Sequence, residues 1–404
     1  MRRAARPSAV SATRVVFPYL AQTHQILHSL PIAAALATRH PEMRVHLAAV
    51  NPGHLDLAHR LVEAHAPGSP LHYDLLPLGP GDALRLRAGW GASHFKQYAL
   101  LQNRRYFADF DAVVTPERTS LFLRHLGVPA HLIWTRHGAG DREVGFKADV
   151  RHFDFVLFAG RKIEQRLLSG GLIRPGRYIG GVYAKFDWAC SLPPPTLFDN
   201  SRPTVLYNPH FLARLSSWPR LGREVLDMFA ASSRYNLIFA PHVRLFEALS
   251  KTDAKIFAPL QALPHVRIDL GSEHSVDMSY TRAASFYLGD VSSQIAEFLC
   301  QPRPCAFLDA HGAQWRDNPS FRSWTLGPVW DSIANLDGRI GEAINRHSEF
   351  VEVQRRYVND TFEPPAEGSG VRGADAIAEF LSRYPVASRS GRRPRDVHRL
   401  STSS

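Results

Sequence analysis

Three cysteines in 404 residues, Cys190, Cys300 and Cys305, are too few for a disulfide framework and lack the paired spacing of a zinc site. A reducing compartment is the expectation. Long apolar runs are absent as well. The cleanest near the N-terminus, Leu30 to Ala37, contains Pro31 and falls far short of the roughly 20 residues that a membrane-spanning helix needs. Arg2 and Arg3 are not followed by an apolar stretch of signal-peptide length, so a cytoplasmic protein is expected. Three familiar motifs are also missing: no Gly-x-Gly-x-x-Gly follows the first strand pattern, and there is no Gly-Lys-Ser/Thr loop and no Gly-x-Ser-x-Gly elbow. Dehydrogenase, P-loop and serine-hydrolase readings lose their support.

What is present is globular: 45% apolar and 21% charged residues, with 29 Pro and 27 Gly. The length predicts two domains. The net charge of +11 is concentrated at the ends. Residues 1–14 carry Arg2, Arg3, Arg6 and Arg14 with no acid, and residues 386–404 carry Arg389, Arg392, Arg393, Arg395 and Arg399 against Asp396. The body between them is left with 39 basic and 36 acidic residues, close to neutral. Basic tails on a neutral body suit the anionic inner face of a cell membrane, or solvated tails with no partner, better than a groove-reading DNA binder; no nucleic acid partner is expected.

Short β-branched runs alternate with helical patterns from Val15 onward. Strands are predicted at Arg14–Tyr19, Arg44–Val50, Ala112–Thr115, His131–Thr135 and Phe155–Phe158, with helices at Pro31–Arg39, Thr119–Leu126 and Lys162–Ser169. Residues 190–200, with Pro193, Pro194 and Pro195 in succession, form a semi-rigid linker. The alternation then restarts, with strands at Thr204–Tyr207, Asn236–Ala240, Val266–Asp269, Ser285–Gly289 and Cys305–Leu308, and helices at Arg220–Ser232 and Ser293–Leu299. Such alternation predicts parallel sheets covered by helices, and two α/β halves, 15–189 and 201–385, facing each other across a cleft. Ligands of open parallel sheets sit beyond the carboxyl ends of the strands, so the residues just after strands are the candidates.

Four segments stand there. Arg136-His137-Gly138 follows one strand, with an imidazole on a backbone that can approach a ligand closely. His242 and Arg244 follow another and could meet phosphate oxygens. Asp290, Ser292 and Ser293 lead into a helix whose free amides would hold an anion, with Glu297 one turn on, placed for a ribose hydroxyl or simply exposed. Asn208-Pro209-His210-Phe211 is the fourth. Asp109-Phe110-Asp111 precedes its strand, where a metal pair should follow one, and His24 with His28, four residues apart, lack a third ligand. No metal or other cofactor is expected.

In this order, His137-Gly138, His242-Val243, Asp290-Val291-Ser292-Ser293 with Glu297, the run Pro302 to Asp309 and the late Tyr357-Val358-Asn359-Asp360 resemble the CDP-glycerol glycerophosphotransferases, teichoic-acid polymerases of GT-B fold. The likeness covers about Ala112 to Leu381. Arg136, Val243 and Val291 stand where the family pattern has Trp, Pro and Tyr. The resemblance implies an acceptor-side domain at 15–189 and a nucleotide-donor domain with a closing helix at 201–385. It implies a CDP-activated donor and a glycan or lipid-linked acceptor hydroxyl, with His137 as general base. His242, Arg244, Asp290, Ser292, Ser293 and Glu297 would hold nucleotide and phosphate, and Arg136 and Gly138 would support the loop. Two other readings stay open: a GT-B glycosyltransferase or epimerase on a UDP-sugar, and a non-catalytic subunit that binds nucleotide.

Overall fold

The computed structural model describes residues 12–20, 22–79, 92–191, 193–246, 253–363 and 366–386. Most of both basic tails, 1–11 and 387–404, lies outside the described residues. Two parallel sheets form the frame. The first runs β3-β2-β1-β4-β5-β6-β7, from β1 (Thr13–Tyr19), β2 (Met43–Ala49), β3 (Leu71–Leu75), β4 (Ala112–Thr115), β5 (His131–Thr135), β6 (Phe155–Leu157) and β7 (Tyr178–Ile179). The second runs β10-β9-β8-β11-β12-β13, from β8 (Thr204–Asn208), β9 (Asn236–Phe239), β10 (Val266–Ile268), β11 (Phe286–Gly289), β12 (Cys305–Leu308) and β13 (Val329–Trp330). These two α/β units have the architecture expected from the alternating pattern.

Both faces of each sheet are covered, which is why the strands read as nearly continuous apolar runs. In β1, Val15, Phe17 and Tyr19 enter the core on one face while Val16 enters the core on the other, following the period of two. The edge strands β3, β7 and β13 escape a pattern search because they are short or carry polar residues such as His72 and Asp74. The helix expected at Thr119–Leu126 is instead a tight turn, Arg118–Leu121, running into one helical turn, Phe122–His125.

In both sheets the strand order reverses beside the first strand, between β1 and β4 and between β8 and β11. Connections on either side of such a point leave in opposite directions and open a crevice. Thr23–His28, 116–121, 136–146, 209–217, 241–246 and 290–294 all follow carboxyl ends of strands near these points. An apolar cluster joins the units: Ala139, Ala159 and Tyr183 of the first pack with Ile295, Phe298 and Phe307 of the second and with Tyr357 and Phe362.

The chain finally returns to the first sheet. The helix Ser369–Arg383 lies against the helix Leu30–Arg39, where a Cβ at Gly373 would meet Ile32 at 3.2 Å and Arg39 pairs with Asp375 through bonds of 3.0 and 2.8 Å. Asp187 accepts from the amides of Ser369 at 3.1 Å and Gly370 at 2.6 Å, satisfying two donors at the start of that helix. Asp187→Ala is therefore expected to weaken the helix by about 1–2 kcal/mol. Hydrogen exchange should accelerate at residues 369–383 and stay unchanged in β8.

Candidate active site

The loop after β5 carries the first histidine. Arg136 N–H still donates to Leu157 O at 2.9 Å, so the strand ladder fixes where His137 emerges. His137 Nδ1 lies 2.6 Å from Pro116 O. A carbonyl only accepts, so Nδ1 carries the hydrogen and Nε2 presents a lone pair. Burial holds this imidazole down at about 4, the Pro116 carbonyl opposing and the nearby Arg136, Lys96 and Arg118 adding to it. Gly138 has φ +73°, and a Cβ there would lie 3.3 Å from Ser293 Oγ, so the loop needs glycine both for its backbone and for its contact with the second unit. Arg136 turns inward: it donates to Gly140 O at 3.2 Å and to Gly145 O, and its guanidinium lies 4.3 Å from the centre of the Phe146 ring.

The loop after β9 carries the second histidine with the opposite polarity. Arg244 N–H donates to His242 Nδ1 at 3.2 Å, which leaves the hydrogen on Nε2. Burial, Arg142 and Arg244 push this imidazole down to about 3. The Arg244 guanidinium stacks over Phe211 at 4.3 Å. The pair of histidines thus offers one acceptor and one donor to the same cleft.

The segment after β11 departs from expectation. Its helix is Gln294–Phe298, five residues long rather than Ser293–Leu299, so its dipole is small, and Gln294 N–H is taken by Ser292 Oγ at 3.2 Å. Ser292 and Ser293 line the cleft. Asp290 does not. It is fully buried, and its Oδ2 accepts from the amides of His210 at 2.8 Å and Ser217 at 2.9 Å, while burial raises its carboxyl to about 7. It shapes the 209–217 loop and is not placed to touch a ligand. Glu297 lines the cleft, but both its oxygens lie 2.8 Å from Lys185 Nζ, and Tyr183 OH donates to Oε1 at 2.6 Å. The carboxylate expected near a ribose hydroxyl is thus bound to the first unit.

His24 and His28 do reach the cleft, as neighbours of the other histidines and not as a metal pair. The His24 ring lies 6.1 Å from that of His137 and 6.4 Å from that of His242, and His28 lies 6.2 Å from His137. Burial keeps both well below the ordinary imidazole value. Among the described residues no three His, Cys, Asp or Glu are grouped to hold a metal ion. Asp109 and Asp111 bond Arg14 at the other end of the first sheet, through the Asp109 carbonyl at 3.2 Å and the Asp111 carboxylate at 2.8 Å. Arg118, Arg142 and Lys185 also line the cleft, and nothing in their local sequence pattern separates them from surface cations.

An inner cavity of about 270 Å³ is lined by Arg118, Arg136, Arg142 and Lys185 with Glu297 as the one carboxylate among its lining residues. It opens into an outer cavity of about 1200 Å³ that shares His24, His137, Arg142 and His242 and adds Lys147, Arg214, Arg244 and Phe211. Arg142 spans the cleft, its guanidinium 2.7 Å from His210 Nε2. Cations gathered in a partly desolvated cleft favour an anionic ligand.

No family model matches the chain, and no curated protein does. Solved structures match in fold. A form of the wall teichoic acid polymerase TagF soaked with CDPG is 13% identical, with a TM-score of 0.59 over 93% of this chain and 90% of that one. A putative UDP-N-acetylglucosamine 2-epimerase from Listeria monocytogenes is 11% identical, with a TM-score of 0.63 over 94% and 99%. The UDP-GlcNAc 2-epimerase from Neisseria meningitidis bound to UDP-GlcNAc is 12% identical, with a TM-score of 0.55 over 92% and 100%. The fold is therefore α/β and GT-B-like, with two Rossmann-like units.

Histidines kept neutral by burial make the folded protein acid-sensitive. Between about 4 and 6.5 the unfolded chain holds a proton on His137 that the folded protein lacks. Stability is accordingly full above that window and lost as pH falls through it. Urea midpoints should drop from pH 7 to pH 5, and His242→Gln, which removes one such group, should flatten the dependence.

Proposed function

We propose that the chain is a transferase of the CDP-glycerol glycerophosphotransferase type. It moves glycerophosphate, or a related alditol phosphate, from a CDP-activated donor to a hydroxyl of a cell-envelope glycan or lipid-linked acceptor. The observation that carries this reading is the opposite hydrogen-bond polarity of two histidines on either side of one cationic cleft. An attacking hydroxyl has a pKa far above neutrality and must lose its proton as it approaches phosphorus, and His137 Nε2 has the lone pair to take it. A new P–O bond forms to the donor's β-phosphorus, the bridging P–O bond breaks, and CMP leaves. Charge gathering on the phosphates is met by His242 Nε2–H, Arg142, Arg244 and the Ser292 and Ser293 hydroxyls. The bound phosphates also offset the cations that help depress His137, moving its pKa toward neutrality and making it a better base.

The same fold houses UDP-GlcNAc 2-epimerases, so an enzyme of UDP-sugars is the second reading. The released nucleotide separates the two: CMP for phosphoryl transfer from a CDP-activated donor, UDP for sugar transfer from a UDP-sugar.

His137→Ala is expected to lower turnover by roughly 10²- to 10⁴-fold while leaving CDP affinity within a few fold. His242→Ala should lower affinity together with rate. In the unliganded protein's kcat/KM profile, the rate should rise with pH through about 4 and be flat across the neutral range, since the neutral form of His137 is the competent one. Near-normal turnover by His137→Ala would return that residue to a strand-end histidine.

A further inference from the structure

Behind the loop that carries His137 lies a buried polar group that the transfer chemistry does not use. The loop is rich in glycine and is held from behind through its carbonyls: Ala139 O accepts from Lys162 Nζ at 3.1 Å, Gly140 O from Arg136 at 3.2 Å, and Asp141 O from Arg166. Three cations crowd one side, and the Asp141 carboxylate is their common counter-charge. Its Oδ1 lies 2.7 Å from Lys162 Nζ, and its Oδ2 accepts from Tyr357 OH at 2.8 Å. Asp141, Lys162 and Tyr357 are all buried, and the ammonium sits 4.2 Å from the centre of the Tyr357 ring.

Tyr357 comes from elsewhere in the fold. Its helix, Val351–Thr361, is fastened to the second unit by Gln354, whose Nε2 donates to Leu326 O at 2.9 Å and Arg303 O at 3.1 Å, and by an Arg322–Asp360 pair at 2.7 Å. At its end the chain crosses over, with Glu363 N–H donating to Ala159 O at 3.2 Å. The Tyr357 hydroxyl thus links a helix anchored in the second unit to the loop that bears His137 in the first.

We infer that Tyr357, through Asp141 and Lys162, is a positioning residue: the helix anchored in the second unit sets where the 136–146 loop holds His137 when the cleft takes up its ligand. The inference rests on the reading of His137 as the base. A movement of one unit against the other then reaches the loop through this hydroxyl–carboxylate bond, four residues from the reacting group, alongside the Arg142–His210 and Gly138–Ser293 contacts. A displacement of about an ångström at such a loop can cost on the order of 100-fold in rate without touching the ligand.

Tyr357→Phe keeps the ring and its packing and deletes only the hydroxyl. In the full chain, kcat is expected to fall roughly 10- to 100-fold, with KM for the donor and CDP affinity within about threefold. Hydrogen exchange supplies a readout independent of turnover: CDP should slow exchange across 136–146 in the unaltered protein and fail to do so in Tyr357→Phe at equal saturation. A normal kcat in the variant, or undiminished slowing of the loop by CDP, overturns the inference. Should Tyr357→Phe not fold, Asp141→Asn combined with Lys162→Gln removes both charges together and is read in the same way. Failure of the base assignment shows separately, as turnover that survives His137→Ala, and leaves the exchange comparison to decide the coupling.

Discussion

Parallel pairing is the constraint on which the rest depends. A strand that joins its neighbour in parallel forces the chain to travel back along the outside, so connections at the carboxyl ends collect along one edge of the sheet. Both sheets obey this with the same inner order, and each splits its connections beside its first strand. The loops bearing His24, His137, His210, His242 and Ser293 converge because β1, β5, β8, β9 and β11 all end on the edges lining the cleft. Nothing local to those loops would bring them together.

Given that frame, main-chain groups decide the chemistry. One carbonyl, Pro116 O, and one amide, Arg244 N–H, assign opposite tautomers to His137 and His242. Side chains then tie the halves: Lys185 to Glu297, Arg142 to His210, and Tyr357 to Asp141. Each link joins residues far apart along the sequence, and in each one partner, Lys185, Arg142 or Asp141, carries no signal in its local pattern. The Lys185–Glu297 pair is buried on both sides, and removing one partner alone would leave an uncompensated charge, typically a cost of about 3–5 kcal/mol.

The frame was legible in the residues. The β-branched runs from Arg14 to Leu308 mark most central strands to within a residue or two, because a sheet buried on both faces leaves an apolar signature that edge strands lack. The histidines after strands were legible for the same reason. What could not be read is what a side chain does once it is there. Asp290 has the look of a ligand-facing acid beside two serines, yet two backbone amides 7 residues apart, at His210 and Ser217, claim it. Glu297 is diverted by Lys185, 112 residues away. His24 and His28 have metal-like spacing but take their meaning from His137 and His242, which no sequence window contains.

The transfer chemistry turns on the two imidazoles, whose nitrogen protonation can be observed directly. In protein labelled with ¹⁵N-histidine at neutral pH, long-range proton–nitrogen correlation should show His137 protonated at Nδ1 with a bare Nε2, and His242 protonated at Nε2 with a bare Nδ1. The same tautomer at both positions, or a proton on Nε2 of His137, would contradict the assignment of one as base and the other as phosphate donor.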